Sequence, residues 1–330
     1  MAERIVFEGE LDLEHLNLIK ALSAREMYVE ELAQIAERDE RIVITGADVG
    51  AGGKIGEFKE KYPDRFIDTG IAEADQVGVS AGMAFNGKIV YLAGFGPFLA
   101  LRALDQVHTD VAYQNIPVRI VNTHSDLTSG GGPTHYNIMD LAVMRDLPNM
   151  TVIAPSDSAQ CIKAIRATLE YPGPVCFRIA RGAEPAVYTT QDYDYEVGKA
   201  ITALDGTDLT IIATDSLVAL SISAANGLAK EGISVRVIDM HTIKPLDKDA
   251  IVKAAKETGH IITAEDHLIT GGLGSAVAET LADAGIGVPF RRLGIPGEDF
   301  PPLGDCYELY AHFGYDPEGI KRAVRELLGK

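Results

Sequence analysis

The amino-acid sequence predicts an α/β protein of two domains, each built around a parallel sheet. Short runs of strand-forming residues alternate with stretches of helical periodicity along most of the chain. The 330 residues, 46% of them hydrophobic, are enough to bury two separate cores. The alternation stops once, from about Ala183 to Val197, where Pro, Thr, Tyr and acidic residues accumulate, and it resumes near Leu209. We therefore expect a first domain over residues 1–190 and a second over residues 191–330.

Composition narrows the function classes. No segment reaches the roughly 18 consecutive apolar residues that a membrane span needs, and the first ten residues lack the basic end and apolar core of a secretory signal. The three scattered cysteines suggest no disulfide framework. A formal net charge of −18 argues against binding to a phosphate backbone. We expect a soluble cytoplasmic protein with no nucleic-acid or membrane partner.

The first domain opens with a helix, a strand and a glycine-rich loop. A capping-box pattern predicts a helix over about Ser23–Arg38, with the first twenty residues as a peripheral arm. Arg41–Thr45 is a buried strand, and Gly46–Gly53 follows it as a loop flexible enough to approach a ligand with its backbone. Ordinary turn chemistry explains that loop equally well.

The stretch Arg65–Asp75 places one carboxylate, that of Glu73, where a strand gives way to a helix. Ala74, Gly78 and Gly82 then recur every fourth residue and leave one helix face almost without side chains. Because glycine inside a helix costs about 1 kcal/mol relative to alanine, this face predicts close contact with another backbone, helix or flat ligand. The alternative for Glu73 is that it merely complements the helix dipole.

Two aromatic residues stand at the next strand-to-helix corner. A strand over Lys88–Leu92 is followed by Gly94–Phe98 and then by a helix. A Phe pair three residues apart usually packs in a core. Glycine and proline here hold Phe95 and Phe98 at the carboxyl end of a strand, where α/β proteins bind ligands.

A polar loop with two histidines follows the strand Val118–Val121. It spans residues 122–135, includes three consecutive glycines, and carries His124 and His135. Loops of this composition rarely serve packing alone. No Cys or acidic partner stands at zinc-ligand spacing, so hydrogen bonding to a substrate is favoured over a metal site.

Arg145, Arg178 and Arg181 lie in the segments that follow this loop. Arginine suits phosphate recognition, because its planar guanidinium donates two parallel hydrogen bonds. One of the three is equally compatible with a surface ion pair. These arginines are therefore candidates for an anion site.

The second domain predicts another parallel α/β sheet. Its strands and helices alternate as follows: strand Leu209–Ala213, a helix to Lys230, strand Ser234–Ile238, a helix after Asp247, strand Ile261–Ala264 and a helix from Gly271. Gly272 and Gly274 resemble part of a dinucleotide fingerprint, but Val277 occupies the third glycine position. NAD binding is therefore not expected.

Taken together, several stretches resemble the carboxyl-terminal half of transketolases, from about residue 20 to the end. They are Gly70–Glu73, Phe95–Gln106, Gly132–His135, Leu147–Met150 and Ile243–Asp247. The same block is similar to deoxyxylulose phosphate synthases and to beta subunits of 2-oxo-acid dehydrogenases. The resemblance implies a thiamine diphosphate pyrimidine-binding domain followed by a transketolase C-terminal-like domain.

The resemblance also implies a cofactor site. The glutamate that matches Glu73 hydrogen-bonds N1′ of the aminopyrimidine and favours the tautomer that removes the thiazolium C2 proton. Burial suits such a group, because it disfavours the charged carboxylate and helps the group carry a proton. Phe95 and Phe98 match the aromatic wall of the pyrimidine pocket, and Asp48 and Val49 match loop residues near the cofactor.

On the substrate side, His135 matches a histidine that binds the ketose donor and stabilises charge on its oxygens. It joins Glu73 as a catalytic candidate. His124, Arg145 and Arg181 match groups near the substrate phosphate, so the resemblance implies sugar phosphate substrates.

Three positions depart from the family pattern. Gly131 stands where sugar transketolases have an aspartate that reads the acceptor hydroxyl, Gly52 where they often have a phosphate-contacting serine, and Leu101 where a tyrosine is usual. The first change removes a charge-assisted hydrogen bond that would discriminate hydroxyl configuration. An unbranched aldose phosphate is therefore not the expected acceptor.

The chain contains no Gly-Asp-Gly followed 25–30 residues later by Asn. In these families that motif holds Mg²⁺ and the diphosphate, which need hard oxygen ligands. We therefore expect no metal ligand in this chain, and we expect the Mg²⁺ ligands on an alpha subunit. The predicted assembly is an α2β2 heterotetramer with a contact between beta subunits.

The leading hypothesis is the beta subunit of a split transketolase. It would transfer a two-carbon ketol unit between sugar phosphates with thiamine diphosphate, in carbohydrate metabolism of the pentose phosphate type. The alternatives are a deoxyxylulose phosphate synthase-like enzyme, a dehydrogenase beta subunit and a non-catalytic scaffold. The intact Glu73 and both Phe residues count against the scaffold.

Overall fold

A computed structural model of the protein describes residues 4–11, 23–50, 52–127, 131–182, 184–190 and 192–330. The strands within these ranges are β1 (Ile42–Gly46), β2 (Phe66–Asp68), β3 (Ile89–Phe95), β4 (Val118–Ser125), β5 (Thr151–Ile153), β6 (Val175–Ala180), β7 (Ile201–Leu204), β8 (Leu209–Ala213), β9 (Val235–Asp239), β10 (Thr242–Lys244), β11 (Ile261–Leu268) and β12 (Phe290–Ile295). They form two sheets, with the orders β10-β5-β6-β4-β3-β1-β2 and β12-β11-β8-β9-β7.

Helices cover the faces of both sheets. Within the same ranges the α-helices are α1 (Ala24–Ile35), α2 (Gly56–Lys61), α3 (Glu73–Phe85), α4 (Leu104–Gln106), α5 (Asp140–Asp146), α6 (Ser158–Thr168), α7 (Leu217–Ala229), α8 (Lys248–Thr258), α9 (Leu273–Asp283), α10 (Cys306–Phe313) and α11 (Pro317–Leu328). None of these described helices is long and apolar enough to cross a membrane.

The predicted class, two sheet-based α/β units, is confirmed, but neither sheet is purely parallel. Strand β7 runs antiparallel to β9 at one edge of the second sheet. Strand β10 runs antiparallel to β5 and extends the first sheet, although it follows strands of the second along the chain. Antiparallel edge strands need no crossover helix, and such edges are common on otherwise parallel sheets. The two sheets are therefore tied together by strand pairing as well as by packing.

The central strands of the first sheet are longer than the apolar pattern indicated. Strand β3 reaches Phe95 rather than Leu92, and β4 reaches Ser125 rather than Val121. The extra residues are mostly polar or small, but they remain paired, with Gly94 opposite Asn122. Hydrophobic runs mark only the buried middle of such strands, so their polar ends are missed. These ends carry the candidate site.

The helix after Phe98 is distorted. It is π-helical over Phe98–Arg102 and again over Val107–Ala112, on either side of α4. Segments of this type are rare and often occur at functional sites. Here the wider turn places Arg102 beside Glu73.

The small-residue face of α3 has no close neighbour among the described residues. A Cβ added to Gly82 would have nothing within 4 Å, and one added to Gly78 would have only the Asp110 carboxylate at 3.9 Å. Ile71 and Phe85, at the two ends of α3, are 74% and 63% exposed. The close contact that the glycine spacing predicts is therefore not made within this part of the chain.

The amino-terminal segment lies against the second half of the chain. Val6 pairs with Tyr188, and Glu10 forms ion pairs with Lys230 and Lys321. Residues 12–20 of the predicted arm lie outside the described residues, as do residues 183 and 191 at the predicted domain boundary.

Candidate active site

The candidate site lies beyond the carboxyl ends of β1, β3, β4 and β6. Because these strands are parallel neighbours, the loops that follow them meet at one edge of the sheet. Non-glycine residues with positive φ angles there include Asp48 at 54°, His124 at 56° and Asp126 at 75°. Each such conformation costs on the order of 1–3 kcal/mol and persists only where the surroundings enforce it. Strain of this kind is typical of functional sites.

Glu73 is the buried acid of the site. It is the first residue of α3 and is only 3% exposed. Its carboxylate Oε2 accepts a hydrogen bond from Arg102 Nη1 at 2.8 Å. The Arg102 guanidinium also lies over the Phe98 ring, 4.3 Å from its centroid. The Glu73 carboxylate, which is the leading catalytic candidate, is thus bound by Arg102, whose side chain is half-exposed.

Phe95 and Phe98 form an aromatic wall next to both histidines. Their ring centroids are 6.1 Å apart. The Phe95 ring centroid lies 4.1 Å from that of His124, and Phe98 meets His135 edge-on at 5.3 Å. The structure therefore brings together four of the residues that the sequence nominated.

His124 is an acceptor rather than a cation. Thr123 Oγ1 donates to the Gly94 carbonyl oxygen at 2.9 Å, so it must accept from His124 Nδ1 at 3.0 Å. This assigns the proton to Nδ1 and leaves Nε2 to accept from Arg25 Nη1 at 3.2 Å. Burial, followed by the charges of Arg25 and Arg181, lowers the pKa of His124 to about 3. The neutral ring therefore orients Arg25.

Arg25 is the functional candidate that the sequence analysis missed. Its Nη1 also donates to the Gly52 carbonyl oxygen at 2.8 Å, and its buried Nε has no hydrogen-bond partner among the described residues. Burial lowers its pKa, and the charge of Arg181 lowers it further. Two nearby guanidinium groups with a neutral imidazole make a site for an anion. In sequence, Arg25 shows only as part of a capping box.

The glycine at position 52 has a packing reason. A Cβ there would lie 2.8 Å from Cζ of Phe95. The chain therefore has no room for a serine side chain at this position while Phe95 keeps its place, and Gly52 serves the site through its carbonyl oxygen.

Asp48 and Val49 lie in the same loop. The Asp48 N–H donates to the Asp68 carboxylate at 3.0 Å, and the Val49 carbonyl oxygen accepts from Gly53 N–H at 2.6 Å. These bonds fold the loop into a compact turn that presents Gly52 to the site. Ala51 and residues 128–130 of the polar loop lie outside the described residues.

His135 sits on a tight turn. Its N–H donates to the Gly132 carbonyl oxygen at 2.8 Å, and its Nδ1 lies 2.9 Å from Thr134 Oγ1. A Cβ at Gly131 would lie 2.7 Å from Cγ of His135. Gly131 is therefore needed for the present position of the histidine ring, whatever it does for the acceptor.

The structure does not bring Arg145 to this cluster. Its side chain forms an ion pair with Glu279 and donates to the Gly271 carbonyl oxygen at 3.2 Å. It also lines a cavity of about 760 Å³ between α5 and the helical segment around Leu104. The last turn of α5 therefore meets Glu279 of α9 instead of the site.

Arg178 is also elsewhere. It is fully buried in β6 and forms ion pairs with Asp140 and Asp215, which joins the two sheets. Arg181 lies beyond the end of the same strand, and its charge acts on His124 and Arg25. Position along the strand thus separates a structural arginine from a candidate ligand-binding one.

Comparison with known families matches both halves of the chain. A model of the transketolase pyrimidine-binding domain matches residues 20–185, and a model of the transketolase C-terminal domain matches residues 198–320. The chain belongs to the transketolase family. The predicted resemblance to the carboxyl-terminal half of transketolases is confirmed.

Two curated transketolase subunits are similar over nearly their whole length. A subunit of the apulose-4-phosphate transketolase of Phocaeicola vulgatus is 41% identical over 310 residues, which cover 94% of this chain and 98% of the relative. A subunit of the 6-deoxy-6-sulfo-D-fructose transketolase of a Clostridium species is 39% identical over 305 residues, 92% of this chain and 94% of the relative. The 1-deoxy-D-xylulose-5-phosphate synthase of Syntrophotalea carbinolica is 37% identical, but the match covers only 47% of it.

Two solved structures share the fold. A split-gene transketolase described as an inactive beta4 tetramer superposes with a TM-score of 0.84 at 35% identity, covering 94% of this chain and 99% of that chain. Transketolase from Campylobacter jejuni superposes with a TM-score of 0.76 at 21% identity, covering 94% of this chain and 47% of that chain. The second likeness concerns the fold alone.

Membership of the transketolase family implies dependence on thiamine diphosphate, and the residues present fit one half of that cofactor. A buried carboxylate, bound by an arginine that also lies over one of two neighbouring aromatic rings, suits the flat, hydrogen-bonding aminopyrimidine. The described residues contain no group of three His, Cys, Asp or Glu side chains that could hold a metal ion. The residues that the pyrimidine-binding domain model matches include this carboxylate and both rings.

Proposed function

We propose that this chain is the beta subunit of a split transketolase, which transfers a two-carbon ketol unit from a ketose phosphate to an aldose phosphate. The observation that carries the proposal is the pairing of a buried Glu73 and its aromatic wall with an anion site of Arg25 and Arg181. A cofactor subsite and a substrate anchor therefore share one sheet edge. Near-complete coverage of relatives that are themselves named as transketolase subunits supports the assignment.

Glu73, Phe95 and Phe98 would hold the aminopyrimidine. Thiamine diphosphate supplies the carbanion chemistry of ketol transfer when it is bound. The buried Glu73 carboxyl group would hydrogen-bond pyrimidine N1′, and Phe95 and Phe98 would exclude water from the ring face. Arg102 contacts both Glu73 and Phe98, so it would orient the carboxylate before the cofactor enters. Asp48 and Val49 shape the adjoining loop.

The substrate would lie between His135 and the arginine pair. Arg25 and Arg181 bind its anionic end, and His124 fixes the Arg25 guanidinium as a neutral acceptor. His135, next to Phe98, faces the reacting oxygens of the donor and stabilises charge on them. The names of the two transketolase relatives support an anionic substrate, because one carries a phosphate and the other a sulfo group. Arg145, which the family resemblance placed near the substrate phosphate, has no part in this arrangement.

The partner would be an alpha subunit that provides the Mg²⁺ and diphosphate ligands. We place the pyrimidine-binding domain in residues 1–190 and the C-terminal domain in residues 191–330. In the α2β2 assembly the exposed face of α3, with Gly78, Gly82 and Phe85, would supply the contact between beta subunits. The enzyme would act in carbohydrate metabolism, with the pentose phosphate pathway as one setting.

Reconstitution tests the proposal. The purified chain is mixed with a transketolase alpha subunit, thiamine diphosphate and Mg²⁺, and ketol transfer from a panel of anionic ketoses is followed by mass spectrometry. We expect turnover only with both subunits, and weak cofactor binding by this chain alone in calorimetry. Micromolar or tighter cofactor binding by the isolated chain would contradict the proposal that the alpha subunit provides the Mg²⁺ and diphosphate ligands. Condensation of pyruvate with glyceraldehyde 3-phosphate would instead favour the deoxyxylulose phosphate synthase alternative.

A further inference from the structure

The Asn137 side chain occupies the space that a side chain at position 96 would need, next to Phe95 and Phe98. Gly96 lies between Phe95 and Phe98, and a Cβ there would lie 1.9 Å from Asn137 Nδ2 and 2.6 Å from its Cγ. Asn137 is 1% exposed and lies two residues after His135. The amide side chain therefore packs directly on the backbone of the aromatic corner.

The polar groups of Asn137 reach two further segments. Its Nδ2 donates to Ser125 Oγ at 2.8 Å, next to His124. Its backbone carbonyl oxygen accepts from Asp126 N–H at 3.1 Å and from Arg178 Nη2 at 3.2 Å. The end of β4, the buried arginine of β6 and the aromatic corner thus converge on one residue.

We propose that Asn137 is a positioning residue that sets the distance between His135 and the Phe95–Phe98 wall. It acts by filling the space that Gly96 leaves and by holding the end of β4 through Ser125. In this role it links the substrate side of the site to the cofactor side. The catalytic consequence rests on the proposed transketolase function. The packing of Asn137 against Gly96, with its bond to Ser125, does not, and it is called the lock below.

The geometry supports a functional role in addition to a packing one. The His135 turn is exposed on its outer side and has its own internal bonds, so it would keep its local shape without Asn137. Only its placement relative to Phe98 depends on the lock. Misplacement of a reacting group by about 1 Å costs on the order of 100-fold in rate. The guanidinium of Arg25 is held by Gly52 and His124 and not by Asn137.

The test is a double-mutant cycle in the reconstituted complex. Gly96→Ala should push the corner away from Asn137 and lower kcat by about 100-fold, by the same positional argument. Asn137→Ala should lower kcat by about tenfold or more while the donor KM stays within about threefold, because Arg25 keeps its bonds to Gly52 and His124. In Gly96→Ala/Asn137→Ala the two atoms that would lie nearest to the new methyl group are removed, and the Asn137 Cβ remains 3.1 Å from it. The double variant should therefore match Asn137→Ala alone.

Gly56→Ala is the matched control, because its Cβ would have nothing within 4 Å. The lock is refuted if the two substitutions are additive in kcat, or if Asn137→Ala changes the thermal midpoint but leaves kcat per bound cofactor unchanged. If Gly96→Ala does not fold, Asn137→Ala and Asn137→Asp still report on kcat.

A spectroscopic readout is independent of turnover. NMR of histidine-labelled protein reports on the His135 ring protons. Their chemical shifts depend on the ring current of Phe98, whose centroid lies 5.3 Å from that of His135. We expect Asn137→Ala to shift the His135 signal, assigned with His135→Gln, and to leave the His260 signal in place. An unmoved His135 signal would overturn the lock. If that signal shifts but no ketol transfer occurs even in the wild-type complex, the proposed function fails while the lock stands.

Discussion

Removal of Arg25 should weaken binding of an anionic ketose far more than removal of Arg145. Arg25 donates to Gly52 and His124, and its Nε has no partner in the described part of the chain. Hydrogen bonds to charged groups contribute about 1.5–3 kcal/mol, and the half-buried position limits solvent screening. At about 1.4 kcal/mol per factor of ten, a loss of about 1.5–3 kcal/mol is a factor of about 12–140 in kcat/KM.

The loss should appear in KM. The anionic end of the donor does not take part in bond making, so Arg25 binds it equally well in the ground state and the transition state. Arg145→Met should change KM by less than about twofold, because the Arg145 side chain is bound to Glu279 and Gly271 and lies outside the anion site. The two variants remove the same charge from the same chain and so serve as controls for each other.

The assay is initial-rate kinetics of the reconstituted complex with two donors, one anionic and one that lacks the anionic group. Arg25→Met should raise KM for the first and leave the second unchanged. Equal effects of Arg25→Met and Arg145→Met, or equal losses with both donors, would refute the assignment of the anion site. Arg25→Lys should recover part of the loss, because it restores the charge without the planar fork.

Four further outcomes are expected. Glu73→Gln should remove about two to four decades of kcat in the assembled enzyme without a change of fold, and near-normal exchange of the cofactor C2 proton in this variant would reduce Glu73 to a helix-end residue. Gly131→Asp should lower kcat for every acceptor in a panel rather than sharpen selectivity, because its Cβ would displace His135; retained kcat with steeper selectivity would contradict this. Phe85→Glu should weaken the contact between beta subunits, seen as a smaller particle in sedimentation, and an unchanged tetramer would exclude the α3 face. Burial lowers the pKa of His267 to about 4, below its unfolded value, so the folded state loses stability as pH falls from about 6.5 toward 4. The Tm of wild type should therefore exceed that of His267→Gln by more at about pH 7.5 than at about pH 5. A difference in Tm that does not depend on pH would count against a neutral buried His267.

The parts of the site that could be predicted from sequence are those whose signal is local. Glu73 was predicted at a strand-to-helix junction, and the structure places it at the first position of α3. The glycines around Phe95 and Phe98 indicated a corner, and the structure has the two rings beside both histidines. The family resemblance carried the cofactor class, because it depends on several such local motifs in a fixed order.

Other features could not be predicted, because they depend on contacts between distant segments. Arg25 and His124 are 99 residues apart in sequence and meet only because α1 packs beside the end of β4. The antiparallel pairing of β10 with β5 could not be predicted either, because it also joins segments that are far apart in sequence.

The sequence by itself determined the two α/β units, the buried acid, the aromatic corner and the family. Periodicity and turn chemistry act over a few residues, so short stretches of sequence are enough to predict these features. Only the tertiary structure decided which arginine lies against His124, which of the two histidines is a neutral acceptor, and why positions 52, 96 and 131 are glycine. Each of those answers depends on the space and charge that another segment leaves, and sequence spacing does not contain that information.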